Sequence, residues 1–526
     1  MPYIGLILII IISAAVLFRT YRGTSQLDIP ILWSAGLGML LLTSLAGPYL
    51  VGPDVHLEFF YARMYDGQEV MQQLTMTPQS TSLACYLAGW APWSPMWTLK
   101  LVYPILFSLV PILLYCVFRK WVDTDKAFLG AFLFIIFPTF FMELPGLTRQ
   151  MTAELAFAVA LYLLVVRKSW WSLLAASVIP LFHYSIAVLY PVLLIPAAIL
   201  VKGSRKVIFA SIGVVILVSA IYFPLASEGA VYTKLAFLYN HWAPSVLELP
   251  VTPELVVPPT PAGMTVDLGP TTLPAPDVPF LQRYEAVVQS GLGLDFLQTS
   301  ITGKIFRVLQ WTIAVFAIVG IWKMKRSRWM YGGVLLLSLV VVPGFSSILN
   351  ITRIVHIALF LLAPCVVIAL KPKYMAPILI IYFAFTSGLV FEVSQQDNIE
   401  KITVPYNVGL SDYRIDLGAI ETPDDVAVRQ FVVQEKLFPV LSDIYGSDFM
   451  GEEVGWRDDL NAALFRDVYK VHDCYVFVRT RNVQDGVFTV WNGIGCRKVV
   501  EPADYGIDWN QNIIYQSGQA RVIYVP

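Results

Sequence analysis

Charged side chains are scarce in this chain. They make up 14% of its 526 residues, while 57% are hydrophobic; soluble domains carry roughly 25% charged residues. The shortage excludes an ordinary soluble globular surface. Histidine and cysteine are scarce too, five of each, and no close ligand pair such as HExxH occurs, so a zinc centre has little to stand on. With a net charge of −1, the chain carries no excess of positive charge to attract nucleic acid. What the chain has instead is a series of apolar runs of about 17–22 residues, long enough to cross the hydrocarbon core of a bilayer.

The few charges are unevenly placed. From Asp397 onward there are 20 acidic and 12 basic residues, which leaves 17 acidic and 24 basic before it. An acidic, less apolar tail follows a basic membrane body, and the boundary falls near Ser394. This divides the chain into a membrane domain, 1–394, and a soluble domain, 395–526. Sixteen of the 24 basic residues lie in six short clusters between apolar runs: Arg19/Arg22, Arg119/Lys120/Lys126, Arg167/Lys168, Lys202/Arg205/Lys206, Lys323–Arg328 and Lys371/Lys373. The positive-inside rule places these in the cytoplasm. Twelve spans follow, near 2–18, 30–50, 99–118, 127–145, 152–166, 170–188, 189–201, 207–225, 305–322, 329–348, 355–370 and 375–393. Both termini then face outward. The first run ends in LFRTYRG rather than a small-x-small cleavage site, so it reads as a retained span. The loops 51–98 and 226–304 are external, and so is the tail.

This topology gathers the polar motifs on one face of a cell membrane. Asp54, His56 and Glu58 open the first external loop directly after a span. Asp54 and Glu58, four apart, share a face if the segment is helical, while His56 points elsewhere. Pro53 suits a first helical turn, and WAPWSPMW (90–97) supplies interfacial aromatics. Arg149, Gln150 and Glu154 sit at the outer end of a later span, His183 and Tyr184 at another, and Arg353 and His356 at a third, one turn apart. The cytoplasmic loops hold no phosphate-cradling glycine loop, so a substrate would come from outside, where nucleotide-activated donors are normally absent. Plainer roles stand beside these: a helix-start acid for Asp54, headgroup snorkelling for Arg149 and Arg353, a structural pair for Arg149 and Glu154, and helix packing for His183.

Asp54-x-His56-x-Glu58, then Arg149-Gln150 with Ala153-Glu154, then His183-Tyr184-Ser185, resembles an uncharacterised prokaryotic branch of multi-pass proteins of GT-C type, over roughly residues 30–200. The segment NIIYQSGQARVIY (512–524) resembles the ends of such proteins. The resemblance implies an α-helical polytopic fold of about twelve transmembrane helices with a small extracytoplasmic α+β domain. It also implies an enzyme that moves a sugar from a polyprenyl-phosphate-type carrier to a glycan, lipid or protein acceptor. Inverting transfer needs a base at the acceptor hydroxyl and cationic partners for the leaving phosphate. Asp54 is then the base, Glu58 and His56 assist, and Arg149 and Arg353 hold phosphate, with Gln150, Glu154, His183, Tyr184 and His356 lining the substrate site. Asp54 and Glu58 as ligands of a magnesium or manganese ion, completed by phosphate oxygens, form the alternative. A glycan polymerase or ligase, a flippase or transporter, and a non-catalytic scaffold are the competing classes.

The 226–304 loop is rich in proline over 253–279, which excludes helix and favours extended backbone. In the tail, VAVRQFVVQEKL (426–437) has helical periodicity, and CYVFVRTRNV and GVFTVW alternate like the two arms of a hairpin. Cys474 and Cys496 flank that hairpin and are candidates for a disulfide, since the compartment outside is oxidising.

Overall fold

A computed structural model describes residues 2–65, 82–227, 265–268, 296–297, 299–324, 328–339, 351–394, 410, 421–454, 461–463, 468–491 and 497–526. Each apolar run of the sequence is helical there. Seven helices among the described residues are long and apolar enough to cross a membrane: Ile4–Arg22, Ser25–Ser44, Pro95–Phe118, Thr148–Arg167, Arg205–Leu225, Ile301–Lys323 and Ile351–Ile368. Thr124–Ile135 and Thr139–Gly146 form one further candidate, bent by 47° at the break. Trp171–Phe182, Tyr184–Leu200, Met330–Leu339 and Pro372–Thr386 are apolar but shorter.

The break between the sixth and seventh runs is not where hydropathy put it. His183 is extended (φ −152°, ψ 121°) and separates Ile179–Phe182 from Tyr184–Leu200. The second helix runs through Pro191 without interruption, so no boundary falls between 188 and 189. Arg19, of the first basic cluster, is buried. Its guanidinium grips Asp28 through Nε and Nη2 and reaches Asp125 Oδ1 at 2.6 Å, tying the first helix to the second and to Thr124–Ile135. Exposed Tyr21, Trp170, Trp171, Trp322 and Tyr374 lie beside the basic clusters, and exposed Trp90, Trp93 and Trp97 lie in the first loop, as amphipathic rings do at the two membrane interfaces.

The first loop contains a helix, Pro53–Tyr65. It packs against Leu83–Gly89 around Leu57, Phe60, Tyr61 and Cys85. Two glycines set its approach to the membrane body. A Cβ on Gly52 (φ +114°) would stand 2.8 Å from the Cα of Gly146, so the backbones before Pro53–Tyr65 and before Thr148–Tyr162 touch with no side chain between them. Lys100 donates to the carbonyls of Gly47, at 2.6 Å, and Tyr49, fixing the turn that leads into this contact.

The tail is α+β. Strands β2 (Val440–Ser442), β3 (Asn461–Ala463), β5 (Cys474–Val478), β8 (Ile513–Ser517) and β9 (Ala520–Val525) form one sheet in the order β3-β2-β5-β9-β8. The first three are parallel, and β9 and β8 run antiparallel to their neighbours. A helix, Pro423–Gln434, starts on a capping box between Thr422 and Asp425. The hairpin expected from CYVFVRTRNV and GVFTVW does not form. Residues Thr480–Asp485 turn into a helix instead, with Arg479 N–H bonded to Asn482 Oδ1 at 2.9 Å. β6 (Phe488–Trp491) therefore leaves β5 and pairs with β7 (Arg497–Val500). Cys496 lies outside the described residues, and the proposed disulfide with it. Most of the proline-rich loop lies outside them as well; its strand β1 (Thr265–Leu268) pairs with β4 (Val468–His472) of the tail.

The tail helix Ile444–Val454 packs on Pro53–Tyr65, so first loop and tail share one side of the membrane. That demands an even number of crossings between them. Five of the seven long helices follow the first loop, which would carry the tail to the wrong side. The bent pair as a sixth crossing, or the bent pair and all four shorter helices together, restores the parity. In a cysteine-free background, Ser94→Cys and Gln511→Cys should therefore label from the same side of sealed vesicles and Lys168→Cys from the other. Opposite labelling of Ser94→Cys and Gln511→Cys would break this arrangement.

Candidate functional site

The site begins with a helix that lacks its own cap. Thr148–Tyr162 follows Leu147, which offers no side-chain acceptor, and its first N–H groups need partners. Glu58 supplies them from the first loop. Its carboxylate accepts from Thr148 N–H at 2.9 Å, Arg149 N–H at 3.4 Å, Arg149 Nε at 2.8 Å and the Thr148 hydroxyl. An acid at a helix N-terminus is favoured by the macrodipole. Burial pushes the Glu58 carboxyl up, and Arg149 and Thr148 pull it back.

Asp54 lies one turn earlier on the same face. Its carboxylate stands 3.7 Å from Arg149 Nη2, and its side chain is 33% exposed against 1% for Glu58 and 5% for Arg149. The shared face read from the four-residue spacing is thus present. The two acids have separate roles: Glu58 is consumed in holding Arg149 and the helix start, and Asp54 is the accessible member. As ligands of one divalent ion they do not fit this arrangement, because the Glu58 oxygens already face four donors. Among the described residues no three His, Cys, Asp or Glu side chains converge as a metal site.

His56 faces away from this group. It is fully buried beneath the tail, with Nδ1 2.5 Å from Glu452 Oε1 and its ring 5.0 Å from that of Phe449. Glu452 also meets Arg429 Nη2 at 2.9 Å, and Arg429 binds Glu421 at 2.7 Å and Glu453 at 2.7 Å. Three buried or half-buried carboxylates therefore share one guanidinium. Burial pushes Glu421 up to about 8, with Glu452 adding to the rise, while Glu452 is held low against its own burial by His56 and Arg429.

Deeper in the membrane body, Gln150 Nε2 donates to Glu154 Oε1 at 2.8 Å. Glu154 Oε2 lies 3.3 Å from His356 Nε2, within ion-pair range but not aligned as a hydrogen bond. Both side chains are wholly buried, and the His356 ring sits 4.3 Å from Phe134 and 5.9 Å from Phe137. Arg353 is nearer the rim, 3.3 Å from Glu143 Oε2. His183 stacks on Tyr184 at 5.2 Å; its Nδ1 has no partner among the described residues, and it is close enough to Arg149 and Arg353 to feel both charges.

The candidates thus divide into a rim group, in which Asp54 and Arg353 are part-exposed and Glu58, Arg149 and His183 are buried, with Tyr184 stacked on His183; a buried group below it (Gln150, Glu154, His356); and one residue, His56, that belongs to the tail contact. Thr148, Glu143 and Glu452 were missed. An acid inside the run 127–145 is itself a signal for Glu143; Thr148 and Glu452 carry no local signature. Comparison of the chain with models of known protein families and with curated proteins finds no match. What fold and site together define is a helical multi-span membrane protein with a charged cluster at one end of its helices, on the side that carries the tail.

Two outcomes follow. Glu58→Ala strands the buried Arg149 and uncaps a helix, so it should cost stability on the scale of a broken buried pair, about 3–5 kcal/mol. Asp54→Ala should cost far less in the same detergent melt; equal losses would contradict the division of roles. The raised Glu421 holds a proton in the folded tail that the unfolded chain releases above about 4.5. Tail stability should therefore fall as pH rises from about 4.5 to about 8. Glu421→Gln should flatten that slope in hydrogen-exchange measurements at several pH values.

Proposed function

We propose that the chain is a GT-C-like glycosyltransferase of the cell membrane, taking a sugar from a polyprenyl-phosphate-type carrier and passing it, with inversion, to an acceptor on the side of the tail. The observation that carries this reading is Asp54. It is a one-third-exposed carboxylate held at a membrane rim, with Arg149 fixed beside it and with Arg353 and His183 near the same end of the helices. Asp54 accepts the proton of the acceptor hydroxyl as that oxygen attacks the anomeric carbon and the bond to the carrier phosphate breaks.

On this reading the remaining roles shift. Base and leaving group lie on opposite sides of the reacting carbon in an inverting transfer. Arg149, 3.7 Å from Asp54 and committed to Glu58, is too close to the base to hold the departing phosphate as well; it orients Asp54. The phosphate falls to Arg353, whose fork suits two oxygens, and to His183. No step passes through a metal ion.

A carrier of protons or solute is the second reading, favoured by the bent helix pair and the buried Glu154–His356 contact, features common where helices break around a midplane site. Uptake assays in proteoliposomes separate it from transfer.

With a panel of polyprenyl-linked sugars, Asp54→Asn should lose roughly 10²–10⁴-fold in turnover, the scale of a general base. Arg353→Ala should chiefly raise the donor KM, and Arg149→Lys chiefly lower kcat. A chelator should leave the wild type active. Near-normal turnover of folded, inserted Asp54→Asn would end this reading.

A further inference from the structure

We infer that the tail is a working part of the site, and that Glu452, acting through His56, is a positioning residue for Asp54. This rests on the transferase reading for its catalytic consequence, though not for its mechanical one. The helix Pro53–Tyr65 is gripped on two faces. Asp54 and Glu58 face Arg149 and the start of Thr148–Tyr162. His56 lies two residues from each, about 200° around the helix from both, and faces Glu452 and Phe449 of the tail.

The second grip is built, not incidental. His56 is fully buried and Glu452 nearly so. Glu452 is itself fixed by Arg429, which Glu421 and Glu453 hold in turn. Arg63, on the same first-loop helix two turns on, reaches the Glu452 carbonyl and Glu453, each at 3.4 Å. One acidic residue of the tail thus joins a rigid arginine-centred network to the helix that carries the base. The membrane-side grip holds the first two turns of that helix, and Leu83–Gly89 packs on its apolar side around Leu57, Phe60 and Tyr61. The tail-side grip adds the polar contact that sets its rotation, and rotation decides where the Asp54 carboxylate points. Misplacement of a reacting group by about 1 Å costs on the order of 10²-fold in rate, whereas donor binding, assigned to Arg353 and His183, does not depend on the rotation of this helix.

The test uses the full chain in detergent, with two readouts. Hydrogen exchange of residues 53–65 reports the grip directly, and exchange of β2 and β5 reports whether the tail stays folded. Transfer kinetics report its effect on the site. His56→Ala and Glu452→Ala should each speed exchange in 53–65 with β2 and β5 unchanged, and each should lower kcat by about ten- to a hundredfold with little change in donor KM. The double variant should be no worse than either single one, as for two ends of one contact. His56→Asn, whose amide can donate as Nδ1 does, should recover most of both losses, and Glu452→Gln, which keeps the acceptor, should lose less than Glu452→Ala. Unchanged exchange in 53–65 in both alanine variants, or additive losses in the double variant, would overturn the inference. If the wild type transfers no sugar but the exchange pattern holds, the transferase reading fails and the coupling of tail to first loop stands.

Discussion

The rest of the structure depends on a carboxylate that closes a helix to which it does not belong. Glu58 meets the open N–H groups of Thr148–Tyr162 and the guanidinium of Arg149, and in doing so lets an arginine be buried at the edge of a membrane body. Without that acid the helix start and the arginine would both be orphaned, and neither is affordable out of water. The contact is possible only because Gly52 and Gly146 let two backbones touch and Lys100 pins the approach. Charge, cap and close packing are therefore one device, and Asp54 acquires its place from it.

The tail repeats this logic. Arg429 gathers Glu421, Glu452 and Glu453, and Arg479 is clasped by Asp443 at 2.7 Å with Asn482 on the same carboxylate. These buried ions contribute more to a unique arrangement than to net stability, since desolvation offsets much of their attraction. Their geometry explains why a small domain presents one rigid face to the first-loop helix.

Much of this was legible in the sequence because it follows from period and composition. The apolar runs fixed the helices, and the spacing of Asp54 and Glu58 fixed their common face. The acidic bias after Asp397 marked the tail. What was not legible depended on tertiary partners. His183 breaks a helix through an extended backbone that no proline or glycine announces. Arg19 reads in sequence only as part of a cytoplasmic basic pair, because nothing local shows that Asp125, about a hundred residues away, helps to bury it. The alternation of CYVFVRTRNV was overridden where the Asn482 side chain captured the Arg479 N–H and turned the chain into a helix. In sequence terms Asp54 is the base and Glu58 its assistant or co-ligand, but only the fold shows which carboxylate is filled by donors and which is left accessible.

The Arg19 cluster bears on how the chain is made. Arg19 finds Asp28 only nine residues later, so the first two helices can enter the bilayer as a hairpin that already carries its own counter-ion. Asp125 arrives about a hundred residues afterward in synthesis. Until Thr124–Ile135 docks, the hairpin keeps a guanidinium whose Nη1 lacks its Asp125 partner. A charge buried at the start of the chain thereby acts as an address for assembly, read by a segment translated long after it.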